Sequence, residues 1–216
     1  MDSVLLQTIS KYKDDKALYL FAFLRSWHAD YELIERYCSG RGTIVDVGCG
    51  YGMFANYLGM KSSARSVVGI EINKRKLALA PRGVSNVRFS EDHLERFSNQ
   101  SADCIVFYGM LHHLGSFQQQ EEILREAIRV LKPGGRIMVI DIDNRPLWKY
   151  WICWLVDHTL YFGDRIYFRF KNDMLKLLRE KLGLHVEYFM CDSKAPLPHI
   201  AYVCSPAPLP AELVCR

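Results

Sequence analysis

The sequence predicts an α/β fold, a doubly wound, Rossmann-like sheet that is mostly parallel and has helices on both faces. Two observations carry that reading. Strand-like apolar runs alternate with helix-like amphipathic segments between residues 43 and 142, and parallel strands need crossovers that cover the sheet on both sides. The first strand also runs straight into a turn with glycines at alternate positions, Gly48, Gly50 and Gly52. In such folds the strands deliver their loops to the ligand-binding carboxyl edge. With 216 residues, half of them apolar, the chain suffices for one substantial core and is short for two. One domain over residues 1–216 is expected.

Between Asp14 and Tyr37 the apolar residues Leu18, Phe21, Ala22, Leu24 and Ile34 recur at roughly helical spacing, which predicts one or two helices in an N-terminal region of residues 1–40. "TIVDV" is the first strand and "MFANYLGM" opens a helix. "SVVGIEI" is the second strand, and "NKRKLALA" is a helix that Pro81 helps to end. "NVRFS" and "DCIVFYGM" are the next two strands. "SFQQQEEILREAIRVL" follows as a helix with Ile123, Ile128 and Leu131 on one face, "KPGG" breaks the chain at Lys132 to Gly135, and "RIMVIDI" is the fifth strand. These elements make a core of residues 43–142. Residues 144–171 interrupt the alternation and read as an insertion. The helix "DMLKLLREKLGL" and the strands "HVEYFMC" and "HIAYVCS" complete the fold within residues 172–204, leaving "PAPLPAELVCR" as a peripheral tail.

The net charge of +4 and pI near 8.6 come from scattered Lys and Arg residues, so no basic stripe for nucleic acid is visible. Seven cysteines are spread singly without a CxxC pair, which speaks against a disulfide framework or a zinc site and for a reducing compartment. No metal site is expected. The start "MDSVLLQTISKYKDD" lacks the pattern of a secretory signal, and no uncharged apolar run reaches membrane-spanning length. A cytoplasmic location is expected, with peripheral membrane contact as a variant of it.

The glycine turn lets the backbone approach a ligand closely, while amides at the start of the next helix point at it. Glu71 closes the second strand about twenty residues further on, where a carboxylate accepts hydrogen bonds from ribose hydroxyls. Asp46, the glycines and Glu71 together predict a nucleoside-containing ligand. A dinucleotide fingerprint would require Gly or Ala at position 53, and Met53 stands there instead. That disfavours a nicotinamide-dependent oxidoreductase. Cys49 has no partner base identifiable from sequence and reads as a small residue tolerated in the loop.

The pattern present, D-x-G-x-G-x-G from Asp46 to Gly52, resembles the first motif of the class I S-adenosylmethionine-dependent methyltransferases, in particular the type 11-like group. The resemblance extends from Ile44 to Ile142. "VGIEIN" is similar to the family's second strand with its ribose-binding acid, "ADCIVFYGMLHHL" to the fourth strand and its L-H-H, and "VLKPGGRIMVID" to the turn and fifth strand. It implies a seven-stranded sheet with an antiparallel last strand and S-adenosylmethionine as cofactor, with S-adenosylhomocysteine as product. The implied cofactor contacts are Asp46, Gly48, Cys49, Gly50, Gly52, Glu71, Ile72, His93 and Tyr108, with Glu91 or Asp92 against the adenine amino group. Spacing favours Glu91 and chemistry favours Asp92.

Methyl transfer from a sulfonium is an in-line displacement that depends chiefly on alignment in a dry site, although a hydroxyl or carbon nucleophile gains from a base. His112 and His113 are the candidate bases, with Asp141 and His158 behind them; the alternative is that they are structural. In the insertion, Trp148, Trp151 and Trp154 share one broad helical face with Leu155 and Phe162, and Tyr161 follows. Arg145, Lys149, Arg165, Arg169 and Lys171 flank the segment. Two readings stand for it: a substrate lid or membrane contact through residues 145–171, or packing on the domain itself or on a second subunit in a homodimer. Tyr12, Tyr19, Phe23, Trp27 and Tyr31 make the N-terminal region aromatic too. The expected acceptor is a hydrophobic small molecule or lipid-like compound. A protein or RNA methyltransferase, and a non-catalytic binding or scaffold protein that keeps the cofactor fold, remain the alternatives.

Overall fold

Three N-terminal helices precede the sheet: α1 (Ser3–Ser10), α2 (Lys16–Arg25) and α3 (Tyr31–Tyr37). Each begins at an aspartate whose carboxylate accepts first-turn amides, an N-cap worth about 1 kcal/mol. Asp2 accepts from Val4, Asp15 from Ala17 and Leu18, and Asp30 from Leu33. The computed structural model in which these are seen describes residues 2–27, 30–160, 166–191 and 198–206, without the side chains of 156–160. Helices α2 and α3 fill the region predicted to be helical. Helix α1 is additional, because its buried face of Leu5, Thr8 and Ile9 is too short to stand out by periodicity.

Seven strands form one sheet in the order β3-β2-β1-β4-β5-β7-β6. They are β1 (Gly42–Val47), β2 (Arg65–Ile70), β3 (Val87–Ser90), β4 (Ala102–Tyr108), β5 (Leu131–Ile142), β6 (His185–Met190) and β7 (His199–Ser205). Strands β1 to β5 pair in parallel, and β7 lies antiparallel to both β5 and β6. The chain winds outward in one direction from β1 to β3 and in the other from β4 onward. The carboxyl ends of β1 and β4 therefore flank the topological switch point where open α/β sheets bind ligands.

Side-chain alternation along β1 explains how the sheet is covered. Ile44 packs on one face with Phe54 and Leu58 of α4 (Met53–Lys61), while Val45 packs on the other with Leu124 of α6 (Phe117–Val130). The short α5 (Lys74–Ala78) follows β2. Near the C-terminus, α8 (Lys171–Leu175) continues as a π-helical stretch, Lys176–Lys181, before β6.

Two segments differ from the sequence reading. Pairing between β4 and β5 jumps from Ala102↔Leu131 to Cys104↔Arg136, so Lys132–Gly135 is a bulge inside β5 and not a turn ahead of it. Gly134 supplies the positive φ, +75°, and Lys132 anchors the bulge to Asp103 at 2.7 Å. The insertion is not irregular throughout either. It contains α7 (Leu147–Leu160), whose inner side joins Cys153 to Ile142, with Tyr150, Ile152 and Phe168 packed around them.

Candidate functional site

The turn after β1 is fixed by two successive anchors on β2. The amides of Gly48 and Cys49 both donate to the carbonyl of Ile70, at 2.8 and 3.0 Å. The next free amide, that of Gly50, donates to Oε2 of Glu71 at 2.9 Å, and Oε1 accepts the amide of Asn73 at 2.8 Å. Gly52, with φ +71°, is the N-cap of α4. A Cβ there would meet the Phe89 ring at 2.6 Å, whereas a Cβ on Gly50, also at positive φ, would meet nothing within 4 Å. The first glycine is needed for packing, and the second opens onto space beside the turn.

Asp46 lies at the end of β1, 1% exposed, and its Oδ1 has no hydrogen-bond partner among the described residues. Burial pushes its carboxyl up to about 7; the Arg25 charge pulls it down, and the Glu71 carboxylate pushes it up again. Cys49 sits beside both carboxylates. Burial and their charges push its thiol far above the ordinary range, so it is a poor nucleophile.

The other residues singled out by sequence lie around this edge. Ile72 is 68% exposed just past Glu71. After β3, Glu91 stands on the surface 3.5 Å from Lys74. Asp92 is half-buried and held by the Ser90 hydroxyl at 3.0 Å and Arg96 at 3.3 Å, and His93 is exposed. At the end of β4, the ring of Tyr108 is enclosed by Phe54, Tyr31 and the guanidinium of Arg25, 4.7 Å from its centroid. Tyr108 thus forms a wall.

Beyond β4, a short 3₁₀ turn, Leu111–His113, carries the two histidines. Nδ1 of His112 meets Oδ1 of Asp141 at 2.5 Å, and the same oxygen accepts the amide of Ile142 at 2.8 Å. Both side chains are buried. Burial alone would raise the Asp141 carboxyl, but the charge and hydrogen bond of His112 outweigh it and hold the carboxyl below its usual range. His113 is pushed down to about 3, first by burial and then by the charge of His112.

The comparisons agree with this geometry. Residues 45–139 match the family model described as "Methyltransferase domain". Residues 45–139 belong to the class I S-adenosylmethionine-dependent methyltransferases. The phthiotriol/phenolphthiotriol dimycocerosates methyltransferase of Mycobacterium leprae is 30% identical over 104 residues, 46% of this chain and 37% of that one. The probable tRNA methyltransferase 9B of Bos taurus is 29% identical over 96 residues, 44% of this chain and 20% of that one. The chain thus spans less than half the length of these curated relatives. Among solved structures, a SAM-dependent methyltransferase from Methanosarcina mazei shares the fold at TM-score 0.64, with 20% identity, covering 82% of this chain and 98% of that one.

The methyltransferase domain has groups that could hold the family's cofactor. Each oxygen of Glu71 spends one lone pair on a loop amide and keeps another, enough for two ribose hydroxyls. The orphaned Asp46 oxygen could take an ammonium, and the open side of Gly50 leaves room for the ligand. The lid candidates Trp148, Trp151 and Trp154 lie on α7, while Tyr161 and the His158 side chain fall outside the described residues. No described helix is long and apolar enough to cross a membrane.

Arg25 and Gln120 escaped the sequence reading, and Tyr12 entered it only as one of the N-terminal aromatic residues. Arg25 of α2 reaches Tyr108, and its charge is felt by Asp46. The Tyr12 hydroxyl donates to the carbonyl of Tyr51 in the glycine turn at 2.9 Å. Buried Gln120 donates to the carbonyls of Leu111 and Tyr167 and accepts from Arg169, strapping residues 167–169 over the histidine turn. No motif announces such roles; only Arg25, a cation inside an apolar run, gives a hint of one. A groove of about 550 Å³ on the outer side of α6, bordered by Phe117 and Lys181, is lined by none of the candidate site residues.

Proposed function

We propose that the protein is an S-adenosylmethionine-dependent methyltransferase acting on a hydrophobic small-molecule or lipid-like acceptor. The observation that carries this reading is the pair of carboxylates at the switch point. Glu71 is locked to the glycine turn, and Asp46 is buried with an oxygen left for a ligand donor. A buried carboxylate oxygen without a partner is costly, and an ammonium group from the cofactor would satisfy it.

When bound, the cofactor supplies a sulfonium methyl group open to in-line attack. Glu71 would accept from the ribose hydroxyls, and Asp46 would accept from the amino group of the methionyl tail. Asp92 is the better adenine partner of the two candidates, because Ser90 and Arg96 already orient it, while Glu91 points to solvent beside Lys74.

His112 is the residue proposed to take a proton from an acceptor hydroxyl or acidic carbon. Asp141, bonded to its Nδ1, orients the ring and stabilises the charge that results when it takes up the proton. His113, pushed down to about 3, is too weak a base for that task. His112 is stacked against Phe168, so an acceptor beside its ring would lie next to the aromatic segment. This favours a greasy acceptor. An RNA acceptor, suggested by the tRNA methyltransferase among the relatives, would be served by a basic stripe, and the surplus of +4 is scattered.

Calorimetric titration with S-adenosylmethionine, S-adenosylhomocysteine and NAD, followed by transfer assays against lipid-soluble phenols and RNA, tests the proposal. Binding of both sulfur ligands without NAD, and transfer to the apolar acceptors alone, is the expected result. Absence of binding by either sulfur ligand would leave the scaffold reading in its place.

A further inference from the structure

All four tryptophans of the chain, Trp27, Trp148, Trp151 and Trp154, are at least 36% exposed, and they lie at only two places. On α7, Leu147, Trp148, Trp151, Trp154 and Leu155 are 62%, 58%, 57%, 36% and 62% exposed. Their spacing makes one continuous stripe. The opposite side, with Tyr150 and Cys153, packs on Ile142 and Phe168. The helix is therefore apolar on its outward face. On α2 and just after it, Leu20, Leu24 and Trp27 repeat the arrangement, 56%, 47% and 40% exposed.

Both elements contact the proposed site. Phe21 of α2 packs edge-on against Tyr51 of the glycine turn, and Arg25 covers Tyr108. From α7, Tyr150 meets Phe168, which stacks on His112. Residues 144–171 carry five cations, Arg145, Lys149, Arg165, Arg169 and Lys171, against two carboxylates, Asp157 and Asp164.

We infer that the outward apolar faces of α7 and α2 dock the protein on an anionic phospholipid bilayer, so that a lipid-soluble acceptor passes from the bilayer toward His112. Tryptophan favours the boundary between headgroups and acyl chains, and Lys149, 5.9 Å from the centre of the Trp148 ring, sets a cation beside the stripe where anionic headgroups would meet it. A second copy of the chain fits the surface less well. A two-fold contact through α7 would bring Lys149, which borders the stripe at Trp148, toward its own copy. The inference rests on the proposed lipid-like acceptor, but its test needs no turnover.

The full chain is mixed with phosphatidylcholine vesicles, with and without phosphatidylglycerol, and floated. Tryptophan fluorescence is read against brominated lipid, and because all four tryptophans lie on the two faces, quenching reports those faces directly. The expected result is binding to the anionic vesicles that weakens with salt, quenching by the brominated chains, and at least about tenfold weaker binding in Trp148→Glu/Trp151→Glu and in Leu20→Glu/Leu24→Glu. S-adenosylmethionine affinity in solution stays unchanged in these variants, which also shows that they fold. Failure of the wild type to bind anionic vesicles, or lipid binding indifferent to both pairs of substitutions, overturns the inference. So does a wild-type dimer that Trp148→Glu/Trp151→Glu converts to monomer without change in lipid binding. Should the variants fail to fold, wild-type flotation and quenching still decide. Loss of cofactor binding in the wild type would instead count against the methyltransferase reading.

Discussion

Glu71 at the end of β2 accepts the amide of Gly50 at 2.9 Å, joining the acid that closes one strand to the turn that closes its neighbour. The carboxylate serves the turn, and it is proposed to serve the ligand as well. Removing it loses a charge-assisted hydrogen bond, worth about 1.5–3 kcal/mol when buried, along with the proposed acceptor for the ribose. Glu71→Ala is therefore expected to lower thermal stability and to weaken S-adenosylmethionine binding by at least about thirtyfold. Glu71→Gln, which keeps one acceptor oxygen, should lose less of both. Calorimetry of the two variants checks this, and unchanged cofactor affinity in Glu71→Ala would remove the ribose assignment.

Two glycines in the same turn should respond in opposite ways. At Gly52 an added Cβ lies 2.6 Å from the Phe89 ring and 2.9 Å from Cβ of Ala80. Gly52→Ala must displace core groups as well as accept a left-handed backbone, which alone costs about 1–2 kcal/mol. A large loss of stability is expected. At Gly50 the Cβ enters open space, so Gly50→Ala should cost only the backbone strain while placing a methyl group where the cofactor is proposed to lie. Denaturant melts and ligand titrations, run side by side, separate the two.

The central sheet was legible because β1, β2 and β4 are short apolar runs bounded by glycine, Asn and Ser, and because α6 shows a clean helical period. The placement of Asp46 and Glu71 at the carboxyl edge was legible for the same reason: each stands at a strand end beside a turn. What the sequence hid is tertiary. Gln120 reads as one polar residue in the run "SFQQQEE", yet folding buries it and gives it three partners from two loops. Arg25 reads as a helix-ending cation, yet it turns inward over Tyr108. The "KPGG" segment looked like a turn because Pro and Gly mark turns and β-bulges alike, and pairing with β4 decides between them. For α7, periodicity located the tryptophan face but could not say that the face points outward.

Asp46 predicts a trade between stability and binding. Its carboxyl is raised to about 7 in the folded protein, above its ordinary value of 3.8. A raised carboxyl contributes full stability below the unfolded pKa and loses it as pH rises through the folded one. Between about pH 4 and pH 7 this group should therefore erode stability as pH increases. Asp46→Asn removes the buried charge, so the variant is expected to be more stable than wild type at about pH 8, by roughly 1–3 kcal/mol, and similar to it near pH 4. It should bind S-adenosylmethionine at least about tenfold more weakly, since a charged acceptor for the ammonium is gone. Melting at both pH values, with and without cofactor, gives the answer; a variant less stable at the higher pH contradicts the account.

The histidine pair separates catalysis from acid stability. With His112 as base, His112→Ala should lower kcat by about 10²–10⁴-fold while leaving cofactor affinity within a few-fold. Asp141→Asn keeps the imidazole but removes the negative charge that favours its protonated form. Its kcat should fall less, and the acidic limb of its kcat profile should move to lower pH, a change that a purely structural aspartate would not produce. His113 behaves differently. Its folded pKa of about 3 lies below the ordinary 6.5, so the unfolded chain takes up a proton that the folded chain refuses. The resulting stability is present above about pH 6.5 and drains away as pH falls toward the folded value. The depressed Asp141 carboxyl adds a further loss only below its ordinary 3.8. His113→Gln should therefore flatten the decline in stability between about pH 6 and pH 4 and leave kcat within a few-fold of wild type. If His113→Gln abolishes turnover while His112→Ala retains it, the base has been assigned to the wrong ring.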